Sequence, residues 1–364
     1  MIPPSGESGA SLKEDIKQEA RRLGFVLAGF ASPEPPSHAA FFERWLDHGY
    51  HGEMSYLSTE RSRVCRGDPR EIMPECRSIL VLALPYSNPT LAEPGAMQPG
   101  AKPRARVAAY AWGRDYHDVI PERVGALVAF IERRAGRKVS SRCYTDSGPI
   151  LERDLAQRAG LGWIGKNTCL INPRMGSYLL LAEVLLDLDV QLDAAFRTDH
   201  CGSCTRCVEA CPTDCILPDR TLDAQRCISY LTIELKSAIP LELRPRMGAW
   251  IFGCDICQIV CPWNRFAAAR GDEALAGPAH AEAPDLIEQL GISPEEFGSR
   301  SRGSALRRAK HRGFLRNVTV AAGNVAGNEA RVPLYELAQN QDQVVKDHAA
   351  WALGRVIQRN SENA

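Results

Sequence analysis

The first half of the chain alternates between helical and strand-like hydrophobic patterns. Ser11 and Glu14 form a capping box ahead of an apolar helical face, and Gly24 ends this predicted helix. Apolar runs of strand length follow at residues 25–31, 78–85 and 177–186, and residues 138–144 alternate as a strand does. A helical pattern covers residues 122–134, and Pro149 predicts the first turn of another helix. These elements predict a layered α/β or α+β domain over residues 1–195.

The C-terminal part of the chain shows only helical periods. Apolar faces predict helices at residues 314–322, 333–338 and 345–356. The two longer helices have similar ends, AAGN at 321–324 and WALG at 351–354, which suggests a small helical repeat that stacks. Because the pattern occurs only twice, an ordinary three-helix packing unit explains it as well. A linker at 268–285 precedes this region, so domains are predicted at 196–268 and 269–364.

Nine of the 13 cysteines lie between residues 201 and 261, and eight of these, all except Cys215, have positions that suit cluster ligands. The first run, which begins at Cys201, has the spacing C-x2-C-x2-C-x3-C-P, and the second, from Cys254, repeats C-x2-C-x3-C-P. This is the bacterial ferredoxin spacing, in which the cysteine before the proline binds the other of two clusters. Ile251 stands where the second run should have its first cysteine, and the isolated Cys227 can fill that position.

The spacing therefore predicts two [4Fe–4S] clusters and electron transfer. The predicted ligand sets are Cys201, Cys204, Cys207 and Cys261 for one cluster, and Cys211, Cys227, Cys254 and Cys257 for the other. Disulfides would require an oxidising compartment, and zinc sites lack the C-x3-C-P ending. The remaining cysteines are predicted to be small buried residues, with ligand exchange as an alternative for the last of them: Cys65, Cys76, Cys143, Cys169 and Cys215.

Composition narrows the class of protein. The 364 residues contain 45% hydrophobic residues, with 44 basic and 44 acidic side chains, so net charge does not indicate a nucleic-acid partner. No apolar run approaches the roughly 18 residues of a membrane span, and the N-terminus shows no signal sequence. We therefore expect a cytoplasmic protein without a membrane partner.

The local distribution of charge, unlike the net charge, bears on a nucleic-acid partner. The segment 300–316 contains seven cations, and no acidic residue occurs between Phe297 and Asn328. Such a run is often a solvated helix face, but without counter-charges it favours a phosphate backbone, and RNA is a plausible partner. The cations are Arg300, Arg302, Arg307, Arg308, Lys310, Arg312 and Arg316.

Three further segments are candidates for chemistry. The sequence GLGWIG at 160–165 spells a dinucleotide fingerprint, but a helix is predicted before it, so we interpret it as a tight turn. Asp146 follows a predicted strand and precedes a helix. It is either an acid stabilised by the helix dipole or a general acid. The segment WGRDYH at 112–117 suits a ligand contact, although a solvated turn could look the same.

Together these segments resemble the epoxyqueuosine reductase family of cobalamin-dependent iron–sulfur enzymes of tRNA modification, collinearly from about Leu12 to Val356. The matching stretches are WGRDYH (112–117), YTDSGPILER (144–153), AGLGWIGKNT (159–168), CGSCTRCVEACPT (201–213), SYLTIE (229–234), GCDICQIVCPWN (253–264) and FLRN (314–317). The resemblance implies an α+β multidomain protein. Its parts are an N-terminal α/β cobalamin-binding domain, a ferredoxin-like two-cluster domain and a C-terminal HEAT-like helical domain that binds tRNA.

The resemblance also implies an activity, the reduction of epoxyqueuosine to queuosine at the tRNA wobble position by cob(I)alamin fed from the clusters. Asp146 is then the proton donor, and we expect burial to raise its pKa. Corrin contacts are implied for Arg66, Asn167, Thr168 and Ser229. The anticodon stem-loop would be held by Arg307, Arg308, Lys310, Arg312 and Arg316. A monomer with an external electron donor is expected.

Two other functions fit part of the chain. An electron-carrier subunit of a larger redox complex explains the clusters but leaves about two-thirds of the chain without a task. A cobalamin-dependent dehalogenase would carry a twin-arginine signal, which this N-terminus lacks, and has no use for a basic helical segment.

Overall fold

The computed structural model describes residues 7–89, 102–267, 271–278 and 281–362. Residues 90–101 and parts of the predicted linker at 268–285 lie outside the described residues. The helices are α1 Glu7–Arg22, α2 Ala39–Asp47, α3 Glu60–Gly67, α4 Tyr116–Ala135, α5 Glu152–Arg158, α6 Arg206–Glu209, α7 Ile228–Ile233, α8 Ile256–Ile259, α9 Leu286–Leu290, α10 Pro294–Arg300, α11 Lys310–Val325, α12 Arg331–Leu337 and α13 Gln343–Glu362. The strands are β1 Leu27–Ala31, β2 Ser78–Pro85, β3 Arg106–Val107, β4 Ser141–Tyr144, β5 Trp163–Ile164, β6 Leu170–Ile171, β7 Leu179–Leu186 and β8 Trp250–Phe252.

A four-stranded sheet in the order β1-β2-β7-β4 organises the N-terminal region. Each neighbouring pair in it is antiparallel. Of the two classes predicted for residues 1–195, α+β is confirmed, and α/β, which the resemblance also implied, is wrong, because α/β domains are built on parallel strands. β2 lies inside the sheet and is buried from Ser78 to Leu84 on both faces, as its continuous apolar run predicts.

Helices cover both faces of this sheet. On one face, Ile16 of α1 and Leu127 of α4 pack in the same core as Leu80 of β2. On the other face, Leu155 of α5 packs with Val81. The sheet is therefore the middle layer of three, which explains why β2 carries apolar residues on both of its faces.

Several helix boundaries differ from those predicted. α1 begins at Glu7, so the capping box proposed at Ser11 lies inside the helix. α4 begins at Tyr116 and contains Pro121. Asp115 caps its N-terminus, because its side chain accepts a hydrogen bond from the backbone N–H of His117. α5 begins at Glu152, three residues after Pro149. Side-chain caps and packing, which are not visible in hydrophobic periodicity, set these positions.

The C-terminal helices α11, α12 and α13 occur where their periodicity predicts them. Ala322 of α11, Leu334 of α12 and Ala352 of α13 belong to the same core as the N-terminal sheet. The described helices include none with the length and apolarity that crossing a membrane requires.

Side chains of α11 attach these helices to the cysteine-rich region. Asn317 donates from Nδ2 to the carbonyl oxygens of Thr232 at 2.7 Å and of Ile251 at 2.9 Å. Arg316 donates to the carbonyls of Leu231, Leu235 and Ser237. The FLRN segment therefore serves to dock α11 on the region around α7 and β8.

Candidate active site and cluster-binding region

A cavity of about 660 Å³ opens where the sheet edge meets the cysteine-rich region and the segment before α11. Its wall combines apolar and ionisable side chains, including Tyr116, His117, Asp146, Glu152, Ser229 and Arg308. A concave site with a few converging polar groups is the usual form of a small-molecule site.

Asp146 is the acid at the centre of these polar groups. Tyr116 donates from its phenol to Oδ2 of Asp146 at 2.6 Å. His117 places Nε2 4.0 Å from the same oxygen, and Arg308 places Nη1 3.6 Å from it. The WGRDYH segment and the basic run, which are distant in sequence, thus converge on the predicted proton donor.

The backbone also fixes this acid. Asp146 adopts a left-handed φ of 55°, a conformation that non-glycine residues seldom take. Its N–H donates to Oε1 of Glu152 at 2.6 Å. Strained backbone of this kind is retained where surrounding contacts enforce it, often at functional sites.

The expected desolvation of Asp146 is not observed, because 54% of its side chain is exposed to the cavity. Burial acts instead on Glu152, where it raises the pKa to about 7, helped by the negative charge of Asp146. The hydrogen bond to Asp115 raises the pKa of His117, with a further contribution from Asp146. No sequence pattern marks Glu152, because its position beside Asp146 depends on the fold.

Arg308 is held in the cavity wall rather than on the outer surface. Its Nε donates to Oε1 of Glu234 at 2.7 Å while Nη1 approaches Asp146. Glu234 ends the SYLTIE segment, so this arginine links that segment to the acid. Its position gives it a role in holding Asp146, which the run of charge alone did not indicate.

The cysteines of the two runs form two groups of thiols. Cys207 lies within electrostatic range of Cys201, Cys204 and Cys261. Cys254 is within range of Cys211 and Cys227, and Cys257 is within range of Cys254 and Cys227. These neighbourhoods support the two ligand sets expected from spacing, which stay a prediction.

Two cysteines expected to be simple packing residues lie beside these groups. Cys215 places its sulfur 3.3 Å from that of Cys211, and Cys169 is hydrogen-bonded to Cys257. Within the described part of the chain, no three His, Cys, Asp or Glu side chains are close enough to hold a single metal ion. A cubane cluster does not need its ligands to meet at one metal ion, because each thiolate binds a separate iron atom.

A second cavity of about 560 Å³ adjoins the first and shares Glu152, Arg153 and Leu222 with it. Phe42, Trp45 and Thr168 also line it. Two neighbouring cavities with a common wall can take the two ends of a large cofactor.

The four predicted corrin contacts occupy different places around these cavities. Ser229 lines the larger cavity and Thr168 the smaller one. Arg66 donates to the carbonyl oxygen of Gly148 at 3.2 Å, beneath the loop that carries Asp146. Asn167 is buried and turned toward the backbone of Cys257, so it is not in the wall of either cavity.

The glycine-rich segment, predicted to be a tight turn, leads into a short hairpin. β5 and β6 pair antiparallel, and Thr168 takes a left-handed φ of 62° in the turn between them. A side chain at Gly162 would overlap the carbonyl oxygen of Ile171. No helix opens on this segment, which excludes the dinucleotide-binding arrangement.

The predicted tRNA-binding cations do not form one surface. Arg316 is only 1% exposed, and burial lowers its pKa to about 10, so the prediction of a tRNA contact for it is wrong. Arg312 is paired with Asp342 at 2.6 Å. Arg307 and Lys310 are exposed and line a neighbouring surface cavity with Arg302, and Arg307 also lines the larger cavity.

Comparison with known proteins agrees with this geometry. The family model described as "Epoxyqueuosine reductase QueG, DUF1730" matches residues 66–147, and the 4Fe-4S double cluster binding domain matches residues 200–264. The chain is 41% identical to epoxyqueuosine reductase of Pseudomonas aeruginosa over 354 residues, which cover 95% of each chain. It is 37% identical to that of Escherichia coli K12 over 351 residues, covering 96% of this chain and 91% of the relative.

A solved structure extends the comparison. Epoxyqueuosine reductase with an epoxyqueuosine-modified tRNA-Tyr stem loop superimposes with a TM-score of 0.84 at 29% identity, covering 95% of this chain and 90% of that one. Since the similarity runs through the sheet, the cysteine region and the C-terminal helices alike, the chain belongs to the epoxyqueuosine reductase family of oxidoreductases.

Proposed function

We propose that this protein reduces epoxyqueuosine to queuosine at the wobble position of tRNA, with Asp146 as proton donor. The observation that carries the proposal is the convergence of Tyr116, His117 and Arg308 on the Asp146 carboxyl in the wall of the larger cavity. A relative of the same fold was solved with an epoxyqueuosine-modified stem loop, which supports tRNA as the substrate.

The reaction requires a proton donor. Removing an epoxide oxygen as water and leaving a double bond consumes two electrons and two protons. Asp146 delivers a proton to the departing oxygen, while Tyr116 and Arg308 hold the carboxyl in place. Substrate that fills the cavity would exclude water from the Asp146 carboxyl.

We propose that each of the two sets of cysteine thiols holds one [4Fe–4S] cluster. The ligands are Cys201, Cys204, Cys207 and Cys261 for the first cluster, and Cys211, Cys227, Cys254 and Cys257 for the second. Bound clusters supply single electrons. Cys227 also lines the larger cavity, so the second site borders the place where the electrons are used.

Cobalamin is the proposed second cofactor, and the paired cavities fit a macrocycle with a long tail. Of the four residues predicted to bind it, Thr168 and Ser229 are proposed contacts from the cavity walls, and Arg66 from beneath the loop of Asp146. Asn167 would act at a distance, by fixing the segment between the cavity and Cys257. When bound in its reduced state, cobalamin supplies a strong nucleophile and reductant.

The tRNA surface is proposed to centre on Arg307 and Lys310, which are exposed beside the mouth of the site. Arg308 would act at the inner end of this surface, and Arg312 more weakly because Asp342 neutralises it. Cations that meet phosphates give salt-dependent affinity without sequence selectivity.

The proposed domains are a cofactor-binding domain at 1–195, a ferredoxin-like domain at 196–268 and a HEAT-like helical domain at 269–364. The stacking of α11 on α13 through Gly323 and Ala352 supports a repeat-like helical unit. We also propose that the protein works as a monomer with an external electron donor.

Mass spectrometry of nucleosides from tRNA incubated with the reconstituted, reduced protein tests the function. Asp146→Asn should lower the rate of queuosine formation by about 100-fold or more without weakening tRNA binding. Asp118→Asn, an exposed carboxylate on the first turn of α4, is the matched control and should keep the wild-type rate. A wild-type rate in the Asp146 variant would refute the proton-donor assignment.

The alternative of an electron-carrier subunit makes the opposite prediction. A carrier would show cluster absorption without cobalamin bands after supply of both cofactors, and its electron transfer would not respond to Asp146→Asn.

A further inference from the structure

Trp163, on β5, has a buried indole ring whose polar atom meets a proposed cluster ligand. Its Nε1 lies 3.5 Å from the sulfur of Cys201 and donates a hydrogen bond to it. An indole N–H can only donate, so a buried tryptophan needs an acceptor. Among the described residues, no other side chain donates a hydrogen bond to a sulfur of the first ligand set. The bond therefore ties the glycine-rich segment to the proposed first cluster.

The turn between β5 and β6 holds the same cysteine loop at a second point. Nζ of Lys166 donates to the carbonyl oxygen of Gly202 at 2.8 Å and to that of Cys204 at 3.0 Å. These bonds fix the loop that carries Cys201 and so keep its sulfur within reach of the indole. Partners outside the ligands commonly orient the ligands of a metal centre in this way.

Aromatic side chains enclose the indole of Trp163. Its ring is stacked on Phe196 with the centroids 5.8 Å apart. His200 and Trp263 make edge-to-face contacts with it, at centroid distances of 5.0 and 5.1 Å. These neighbours fix the ring and keep water away from Nε1. A hydrogen bond is electrostatically stronger where water is excluded, so the indole is placed to act on the sulfur.

The two proposed ligand sets have different surroundings. The loop that follows Cys201 in the first set is exposed at Gly202 and Ser203. In the second set, Cys227 lines the larger cavity, where the proposed reaction takes place. The first set therefore suits the entry of electrons from outside, and the second suits their delivery to the cavity.

A hydrogen bond to a thiolate ligand affects the reduction potential of an iron–sulfur cluster. When the cluster takes up one electron, the negative charge on its sulfurs increases, so a donor stabilises the reduced form more than the oxidised form. No bond breaks in this step, and the indole keeps its proton.

We propose that the indole N–H of Trp163 raises the reduction potential of the first cluster and so favours uptake of an electron from the external one-electron donor. Trp163 acts on the cluster through the sulfur of Cys201 and is a positioning residue in this sense. The inference rests on the proposed function, which supplies the clusters and the donor.

A reductive titration of the protein with both clusters, followed by EPR, tests the proposal. Trp163→Phe keeps an aromatic ring but removes the N–H. At a fixed potential near the midpoint, the ratio of reduced to oxidised first cluster should fall roughly tenfold, equivalent to a midpoint potential lower by about 59 mV for one electron. One of the two titration steps should move and the other should stay. Two unchanged steps would overturn the proposal.

Trp263→Phe is the matched control. Trp263 belongs to the same aromatic group, but its Nε1 donates to the carbonyl oxygen of His200 at 3.3 Å and not to a sulfur. The control variant should therefore keep both midpoint potentials. An equal shift in the two variants would assign the effect to packing of the aromatic group and refute a role of the Trp163 N–H.

Pulsed EPR of the protein with native Trp163 does not depend on cluster assembly in Trp163→Phe. Protein grown with tryptophan labelled with ¹⁵N in the indole is reduced with dithionite. A hydrogen bond transmits spin density, so the spectrum should show a ¹⁵N coupling to the reduced cluster, and Trp263→Phe should retain it. Absence of the coupling from the wild-type protein would contradict the proposal.

These measurements separate the inference from the proposed function. If the wild-type protein reduces epoxyqueuosine tRNA and Trp163→Phe titrates like the wild type, only the inference fails. If the wild-type protein binds its clusters but does not reduce this tRNA, the proposed function fails, whereas the titration and the ¹⁵N coupling still report the action of Trp163 on the cluster.

Discussion

Tyr116 donates its phenolic hydrogen to the Asp146 carboxylate at 2.6 Å, across thirty positions of sequence. Tyr116 is itself almost fully buried at the start of α4, so it holds the exposed acid from the protein side. The cavity side of Asp146 is left open for a substrate. One hydrogen bond therefore explains why the WGRDYH and YTDSGP segments occur in the same protein.

This bond predicts the effect of Tyr116→Phe. The variant keeps the buried ring but removes the donor, so the carboxyl loses one of the contacts that orient it. We expect the rate of queuosine formation to fall about tenfold, equivalent to about 1.4 kcal/mol, since hydrogen bonds to charged groups contribute about this much. Single-turnover assays would measure it. An unchanged rate would show that Arg308 alone suffices to hold Asp146.

The cluster ligands predict a difference between two neighbouring cysteines. Cys227→Ala should remove one cluster, lowering the iron content after anaerobic reconstitution from about eight to about four atoms per chain. Cys215→Ala is the matched control and should keep the iron content, although its sulfur is 3.3 Å from that of Cys211. Iron and sulfide analysis with EPR of the reduced protein would decide. Equal losses in both variants would make Cys215 a ligand.

The basic run predicts two separable effects. Arg307→Ala with Lys310→Ala should weaken tRNA binding and lower the slope of log affinity against log salt by about 0.9 for each lost phosphate contact. The melting temperature should not change, because both side chains are exposed. Arg21→Ala, an exposed cation of α1, is the control and should leave affinity and slope unchanged.

Arg316→Ala should behave in the opposite way. Removing this guanidinium leaves the carbonyls of Leu231, Leu235 and Ser237 without a buried donor. We expect a loss of about 3 kcal/mol or more in the free energy of unfolding, measured in denaturant. A variant with normal stability but weak tRNA binding would restore Arg316 to the tRNA surface.

His348 predicts a pH dependence of stability. It is fully buried on α13, and its Nε2 accepts the backbone N–H of Ile239 at 3.1 Å. Burial, helped by the charge of Arg244, lowers its pKa from 6.5 to about 4. The neutral form is therefore favoured in the folded state. Its contribution is complete above about pH 6.5 and is lost as the pH falls toward 4, by roughly 3 kcal/mol in total.

His348→Gln tests this dependence, because the amide oxygen can still accept the Ile239 N–H but does not titrate. Denaturant unfolding between about pH 7 and 4 should show a smaller acid-induced loss for the variant than for the wild type. The difference between the two curves isolates this group from other titrations. Identical curves would mean that His348 does not control acid stability.

Local pattern was sufficient for part of the structure. The strands at 78–85 and 177–186 and the helices α11 and α13 were predictable because an element buried on one or both faces repeats its apolar residues at its own period. The iron–sulfur region was predictable from cysteine spacing, whereas the division of the cysteines into two ligand sets stays a prediction, because each set joins cysteines that are far apart in sequence.

Contacts between distant segments were not predictable in this way. The antiparallel order β1-β2-β7-β4, the burial of Arg316 and the hydrogen bond from Trp163 to Cys201 depend on which elements pack together. A basic residue has the same appearance in sequence whether it faces a phosphate or a set of carbonyl oxygens.

By itself, the sequence determined the iron–sulfur chemistry, the family and the candidate acid, since these depend on residue types at short spacings. Only the tertiary structure decided that Tyr116 and Arg308 hold Asp146 and that Arg316 serves docking. It also decided that Glu152 lies beside the acid, because desolvation and charge pairing are properties of positions in space.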